Sequence, residues 1–287
     1  MIIDQACEGL VEAERRIDES IRALGTVAQI RGLVREQMDG TEATMAVTRD
    51  SVRGLRGLAP AEYRYCVEDV DRYRQLGAGL ALAKNEVGGA KDQYGVVAQG
   101  LGAMVGLFGD VVLGADNATR SINSSVTDIS AAHAGVDAAP SNVINGYLYK
   151  DLAREKMGAA LTVLDTALTG VAKGKAGTEE DTQRLQTILK GTVPAMTTLF
   201  GSVMGRIDTL KSDVLGSRGP RVVRQTLDKA HKGEYSLPKI AAELNSGVGG
   251  AGRATLVTEE TIAGRITIFT NAKDAVVSAR DILQGIR

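Results

Sequence analysis

The side chains that most often do chemistry are scarce in this chain and poorly spaced for it. Histidine occurs only at His133 and His231. A nucleophilic relay or a histidine metal site needs an imidazole beside a nucleophile or beside further ligands. His133 falls on an apolar helical stripe, where a packed or interface histidine is expected. His231, in DKAHKG, falls at a helix end, where the dipole favours a cation. Cys7 and Cys66 are the only cysteines, without CxxC or Cys/His spacing, and read as small apolar residues rather than ligands or a disulfide. Carboxylates are plentiful, but Glu68, Asp69 and Asp71, or Glu179, Glu180 and Asp181, read as solvated faces and helix caps, so no acid/base pair stands out.

Two glycine patterns invite a phosphate reading and fail it. Gly247, Gly249 and Gly252 satisfy GxGxxG, but a dinucleotide fingerprint needs a strand before it and a helix opening at it. A helical segment precedes these glycines, so a flexible linker is expected. GVAKGKAG (170–177) has Ala176 where a phosphate loop needs the magnesium-binding Ser or Thr, and its first glycine is one residue too close to Gly174 and Lys175. A helix end followed by a turn is expected there.

Two other stretches could contact a partner. SRGPRVVRQTLDKAHKG gathers Arg218, Arg221, Arg224, Lys229 and Lys232 in one loop and helix, a surface suited to an acidic partner. It has no stacking aromatics, and Lys+Arg (34) balance Asp+Glu (35) over the chain, so specific nucleic-acid binding is not expected. Residues 96–115 are the most apolar, with Asp110 their only charge. Gly102, Met104, Gly106, Leu107, Phe108 and Gly109 form the candidate self-association or membrane-inserting segment. Each glycine there weakens a helix by roughly 1 kcal/mol relative to alanine, so a compensating close approach of another helix is expected.

The elements that carry these residues are helical by periodicity. The chain has 287 residues, 44% apolar, with three Phe and no Trp, which suits helix-on-helix cores of Leu, Val, Ile, Ala and Met better than aromatic-lined pockets. Ile3, Leu10, Ile17 and Leu24 recur at sevens, with Cys7, Ile21 and Ala28 on the interleaved seam and Glu14 interrupting it. The pattern resumes through Leu33, Val34, Met38, Val47, Val52, Leu55 and Leu58. Pro60 suits the start of a second helix that returns alongside the first and ends near Gly88 and Gly89. Further helices are expected over 94–116, from Ala118 to Pro140, and from Tyr147 to Gly174. Thr178, followed by Glu179, Glu180 and Asp181, reads as the N-cap of a long helix through Leu185, Leu189, Val193, Met196, Phe200, Val203, Ile207, Leu210 and Val214, kinked rather than ended by Pro194. Residues 216–253 change texture, with two short helices and the run SGVGGAG. Thr258, with Glu259 and Glu260, caps a last helix carrying Ile262, Phe269, Val276 and Leu283 at sevens beside Ala272, Ala279 and Ile286. Its flank carries Lys273 and Arg280. A strand pair formed by ATLVT and RITIFT is the alternative for that region.

The sequence therefore predicts an all-α fold: an elongated multi-helix bundle with heptad-patterned N- and C-terminal helices packed together. Residues 1–215 and 254–287 are expected to form the main bundle, and 216–253 a small helical excursion or subdomain. Helical ends around a variable middle are generically similar to axial filament and translocator subunits. A structural or assembly protein that self-associates through helical faces is the leading expectation, as in a filament, secretion-apparatus or virion-type subunit. The alternatives are a membrane-inserting pore former or translocator using residues 96–115, and a helical adaptor for an acidic partner. No enzymatic activity, cofactor, metal or small-molecule substrate is expected; a homo-oligomer is. Asp4, Glu8 and Glu12 interrupt any secretory signal, leaving cytoplasmic residence, signal-less export or a virion.

Overall fold

A computed structural model describes residues 2–60, 62, 64, 66–138, 144–251 and 256–286, with the side chains of 144–148, 249 and 251 left aside. The helices are α1 (Ile2–Leu55), α2 (Val67–Ala138), α3 (Ile144–Thr187), α4 (Val193–Gly216), α5 (Pro220–His231), α6 (Leu237–Ala251) and α7 (Glu259–Gln284). A 3-10 turn, Arg56–Leu58, follows α1, and a π turn, Ile188–Thr192, joins α3 to α4. Among the described residues there is no strand; RITIFT lies inside α7, so the strand-pair alternative falls at that segment. ATLVT begins outside the described residues, and its last three lead into α7 with Leu256 and Val257 buried. Thr258 is the expected cap: its hydroxyl accepts from the Thr261 amide at 3.1 Å.

The chain divides into two compact units. The first comprises Met1–Arg31, Ala103–Leu185 and Val257–Arg287; the second comprises Gly32–Gly102 and Gln186–Leu256. Residues 216–253, expected as a separate excursion, supply α5 and α6 to the second unit.

In the first unit α1, α2, α3 and α7 form an up-down-up-down bundle, each neighbour antiparallel to the next. Ser125 donates to the Ala6 carbonyl at 2.9 Å and Ser20 to that of Val111 at 3.4 Å, tying α1 to α2. Lys175 meets Asp116 at 2.7 Å between α3 and α2. Lys273 meets Asp18 at 2.9 Å, and Arg280 meets Glu14, closing α7 onto α1. The N- and C-terminal helices are thus packed together. The buried seam of α1 is Ala6, Leu10, Ala13, Ile17, Ser20, Leu24 and Val27, alternating four and three. Leu10, Ile17 and Leu24 lie where the sevens put them, and Cys7 is buried as well, but the interleaved seam is otherwise Ala6, Ala13, Ser20 and Val27. Ile21 and Ala28 are only half-buried.

Gly170, Gly174 and Gly177 were expected at a helix end, and Thr178 at a new N-cap. All four lie inside α3, where the Thr178 hydroxyl donates to the Gly174 carbonyl at 2.9 Å. The glycines are there to admit α7. A Cβ at Gly170 would stand 3.0 Å from that of Ala272, and one at Gly174 would stand 2.8 Å from the Phe269 ring. Gly174→Ala is therefore expected to destabilise the protein by about 1–3 kcal/mol despite alanine's better helix propensity, read as a lowered urea midpoint. An unchanged or raised midpoint would show that Phe269 gives way freely.

In the second unit the later part of α1, the earlier part of α2, α4 and α6 pack as a second antiparallel set. Thr48 donates to Glu86 at 2.9 Å, Lys84 meets Asp208 at 2.6 Å, and Arg206 meets Glu243 at 2.9 Å. The rings of Tyr94 and Phe200 sit 5.9 Å apart. Gly247, the first glycine of the apparent dinucleotide motif, is buried inside α6, not in a flexible linker, and a Cβ there would collide with Met45 and Leu199. Gly252 lies outside the described residues. The helix expected to end at Gly88 and Gly89 runs on, because the buried seam Leu80, Ala83, Val87, Ala90, Tyr94, Val97 and Leu101 passes through without a break. Packing along that seam outweighs the roughly 1 kcal/mol that each glycine subtracts. Pro194 neither ends the helix nor leaves it regular: the π turn precedes it. Ile188 and Met196 are both buried but stand eight apart, and the wide turn takes up the extra residue.

Candidate functional site

The candidate segment on α2 divides by face. Met104 and Phe108 are fully buried, in line with Leu101 and Val111, and belong to the core. Leu107 is half-buried. Gly102, Gly106 and Gly109 point outward, and a Cβ on any of them would meet no atom within 4 Å. The close helix approach expected to compensate these glycines is therefore absent among the described residues. Gly88 and Gly95 have the same empty surroundings, so Gly88, Gly95, Gly102 and Gly109 recur at sevens along one outward line, with Gly106 beside it. Seven residues are two turns of a bundle helix, which keeps the line facing one way. Sequence reading noted the glycines individually but missed their period, which was visible in the sequence.

The same face lacks charge. Residues 93–109 contain no Asp, Glu, Lys or Arg, a run of about 25 Å of helix. Val96 and Leu113 are exposed at 51% and 57%. By length and composition α2 could cross a membrane: an 18-residue window has mean hydropathy 1.8, yet only 28% of it is buried. The apolar surplus thus lies on the outside of the helix. Exposed Asp92 and Asp110 bound the charge-free run, with exposed Lys91 next to Asp92.

The basic unit is built as expected on α5 and the loop before it. Gly219, at φ +88, turns the chain into Pro220, the first residue of α5. Val223, Thr226, Leu227 and Ala230 anchor the buried face, which leaves Arg218, Arg221, Arg224, Lys229 and Lys232 exposed. Lys229 is engaged by Asp213 at 2.8 Å. His231, at the end of α5, bonds the Ala59 carbonyl at 2.6 Å, a structural tie that occupies its ring nitrogen.

One buried polar layer went unread in the sequence. Asp181, expected on a helix cap, lies in the core of the first unit with 1% of its side chain exposed. Arg265 of α7 donates to it at 3.2 Å, and the guanidinium occupies the space that a Cβ on Gly177 would need. The other carboxylate oxygen, Oδ1, is buried without a partner. Burial pushes the Asp181 carboxyl above its usual range, and Arg265 opposes this only in part. Arg265 itself keeps 20% of its side chain exposed.

The surface grooves are shallow. One, of 680 Å³, runs over α3 and α7 of the first unit past Glu155, Lys156, Asp274, Ser278 and Asp281. Among the described residues, no three His, Cys, Asp or Glu side chains gather as a metal site. Cys7 is buried and Cys66 exposed. His133 pairs with Asp137 at 3.3 Å on the same helix. Compared with known proteins, this chain matches no family model, no curated protein and no solved structure.

Proposed function

We propose that this chain is a structural protein that self-associates through the outward, glycine-rich face of α2. The observation that carries this reading is energetic. Gly95, Gly102, Gly106 and Gly109 each weaken the helix, and among the described residues nothing fills the space they leave. A helix face without side chains is useful when another backbone comes close to it, because dispersion and weak Cα–H···O contacts then replace what was lost. The absence of charge over residues 93–109 removes the desolvation penalty that such contact would carry. Light scattering across a concentration series is expected to give mass above the monomer, and Gly106→Glu, placed in open space, is expected to return it to monomer without lowering the thermal midpoint. A wild-type monomer at every concentration would end this reading.

A second reading is favoured by the hydropathy of the same helix: insertion of residues 96–115 into a bilayer. It requires Leu101, Met104, Phe108 and Val111 to leave the core. Leakage of dye from anionic liposomes, abolished by Leu107→Arg, is its expected signature; intact liposomes under all lipid compositions would remove it.

A further inference from the structure

We infer that the α5 face of the second unit is a docking surface for an acidic segment of another protein, which lays carboxylates along α5 and an apolar side chain in the groove beside it; this is independent of the self-association proposed above. Between residues 216 and 232 stand five basic residues and one acid, in a chain whose formal charge is -1, so positive charge is concentrated here while the rest of the chain is acidic. Lys229 is held by Asp213, but Arg218, Arg221, Arg224 and Lys232 are exposed and make no ion pair among the described residues. Like charges this close repel one another, and a row of carboxylates relieves that repulsion.

The backbone that presents these side chains is fixed at both ends. The Ser217 and Thr226 hydroxyls bond at 2.7 Å near the start of α5, and His231 bonds the Ala59 carbonyl at its end. Arg221 and Arg224, three apart, share one side of the helix about 4.5 Å apart along its axis. A guanidinium takes a carboxylate through two parallel hydrogen bonds, and a scaffold already in place leaves little to order on binding.

The groove decides among anionic partners. It measures 370 Å³ and lies within the second unit, lined by Val70 of α2, Val214 and Leu215 of α4 and Val223 of α5, with Arg218 at its edge. Leu215 is exposed at 66%. The α2 side is electrically mixed, Arg74 pairing with Asp71 at 3.6 Å, so the carboxylates belong on the α5 side. A nucleic acid needs exposed rings to stack on, whereas the ring at this groove, Tyr73, is half-buried. A bilayer needs the apolar side of α5, which Val223, Leu227 and Ala230 already bury in the unit. An acidic segment with an apolar side chain uses both the arginines and the groove.

The test is fluorescence anisotropy with the full chain and a labelled peptide of glutamate and leucine, beside one with serine for leucine at equal charge. The leucine peptide is expected to bind more tightly, and Leu215→Ala to remove that preference. Arg221→Glu with Arg224→Glu is expected to weaken binding roughly ten-fold, because exposed pairs turn from attraction to repulsion. Arg120→Glu with Lys173→Glu, an equal change of charge at exposed positions of the first unit, should change it less than about three-fold, and thermal midpoints of both variants should stay level. Equal losses from the two double variants would reduce the surface to net charge and overturn the proposal, as would equal binding of the two peptides or no binding of either. Tighter binding of a single-stranded oligonucleotide or of phosphatidylglycerol vesicles, lost in Arg221→Glu with Arg224→Glu, would overturn it in favour of that partner.

Discussion

Replacing Gly95, Gly102, Gly106 and Gly109 together with alanine is expected to stabilise the monomer by about 3–4 kcal/mol while weakening its self-association at least ten-fold. Each position is helical, and no atom stands within 4 Å of the added methyl, so each substitution gains helix propensity without a steric penalty. Helix propensity acts residue by residue, so the four gains accumulate to about that total. A protein of ordinary stability has about 5–15 kcal/mol in total, which makes this a large fraction to leave unclaimed. The same methyls hold a second backbone further away, so the two readouts move in opposite directions. Urea unfolding and light scattering on one preparation check both. Stabilisation with unchanged association would mean that the glycines serve nothing on this face.

The second large effect lies in the buried layer. Arg265→Met is expected to destabilise the first unit by about 3–5 kcal/mol at neutral pH, because Asp181 would remain in the core without its counter-charge. Adding Asp181→Leu should restore most of that loss, since an apolar pair of similar volume needs no compensation. The pH dependence has a definite sign. The Asp181 carboxyl is raised in the folded state, so the folded chain holds that proton more tightly than the unfolded one. Its contribution to stability therefore falls as pH rises from the ordinary aspartate value through the raised folded one. Glu12, held down to about 2 by its hydrogen bond from Arg15, runs the other way, losing its contribution as pH falls. The Asp181 component is therefore read as the difference between wild type and Asp181→Asn in urea midpoints across mildly acidic pH. A parallel pair of profiles would contradict the burial assigned to Asp181.

The helical character and the pairing of the chain's ends were legible because packing repeats leave a period. Ile262, Phe269, Ala272, Val276, Ala279 and Leu283 are buried in α7 where the sevens put them. The residues that broke the pattern, Glu14 in α1 with Lys273 and Arg280 in α7, proved to be partly one another's partners: Arg280 meets Glu14, and Lys273 reaches Asp18. Period alone shows a polar residue beside a seam, but only the third dimension supplies its mate. Helix ends were misread for a related reason. Gly174 with Thr178, and Gly88 with Gly89, carry the local chemistry of stops and caps, yet a continuous apolar seam overrides it. Inside α3 the glycines answer to Phe269 and Arg265, nearly a hundred residues away. The candidate site was half legible: Gly102, Gly106 and Gly109 could be chosen by composition, but Met104 and Phe108 needed their facing, which only the seam determines.

The π turn at Ile188–Thr192 acts as punctuation in a reading frame. Had the helix continued with α geometry, the extra residue would have rotated everything after it by about 100°. Ala195 and Leu199 would then have faced the core in place of Met196 and Phe200, and the error would have persisted to the end of α4. One widened ring confines the frameshift to five residues. One extra residue, which would otherwise put the rest of α4 out of register, is absorbed locally, and Phe200, Val203, Ile207, Leu210 and Val214 keep their places in the core.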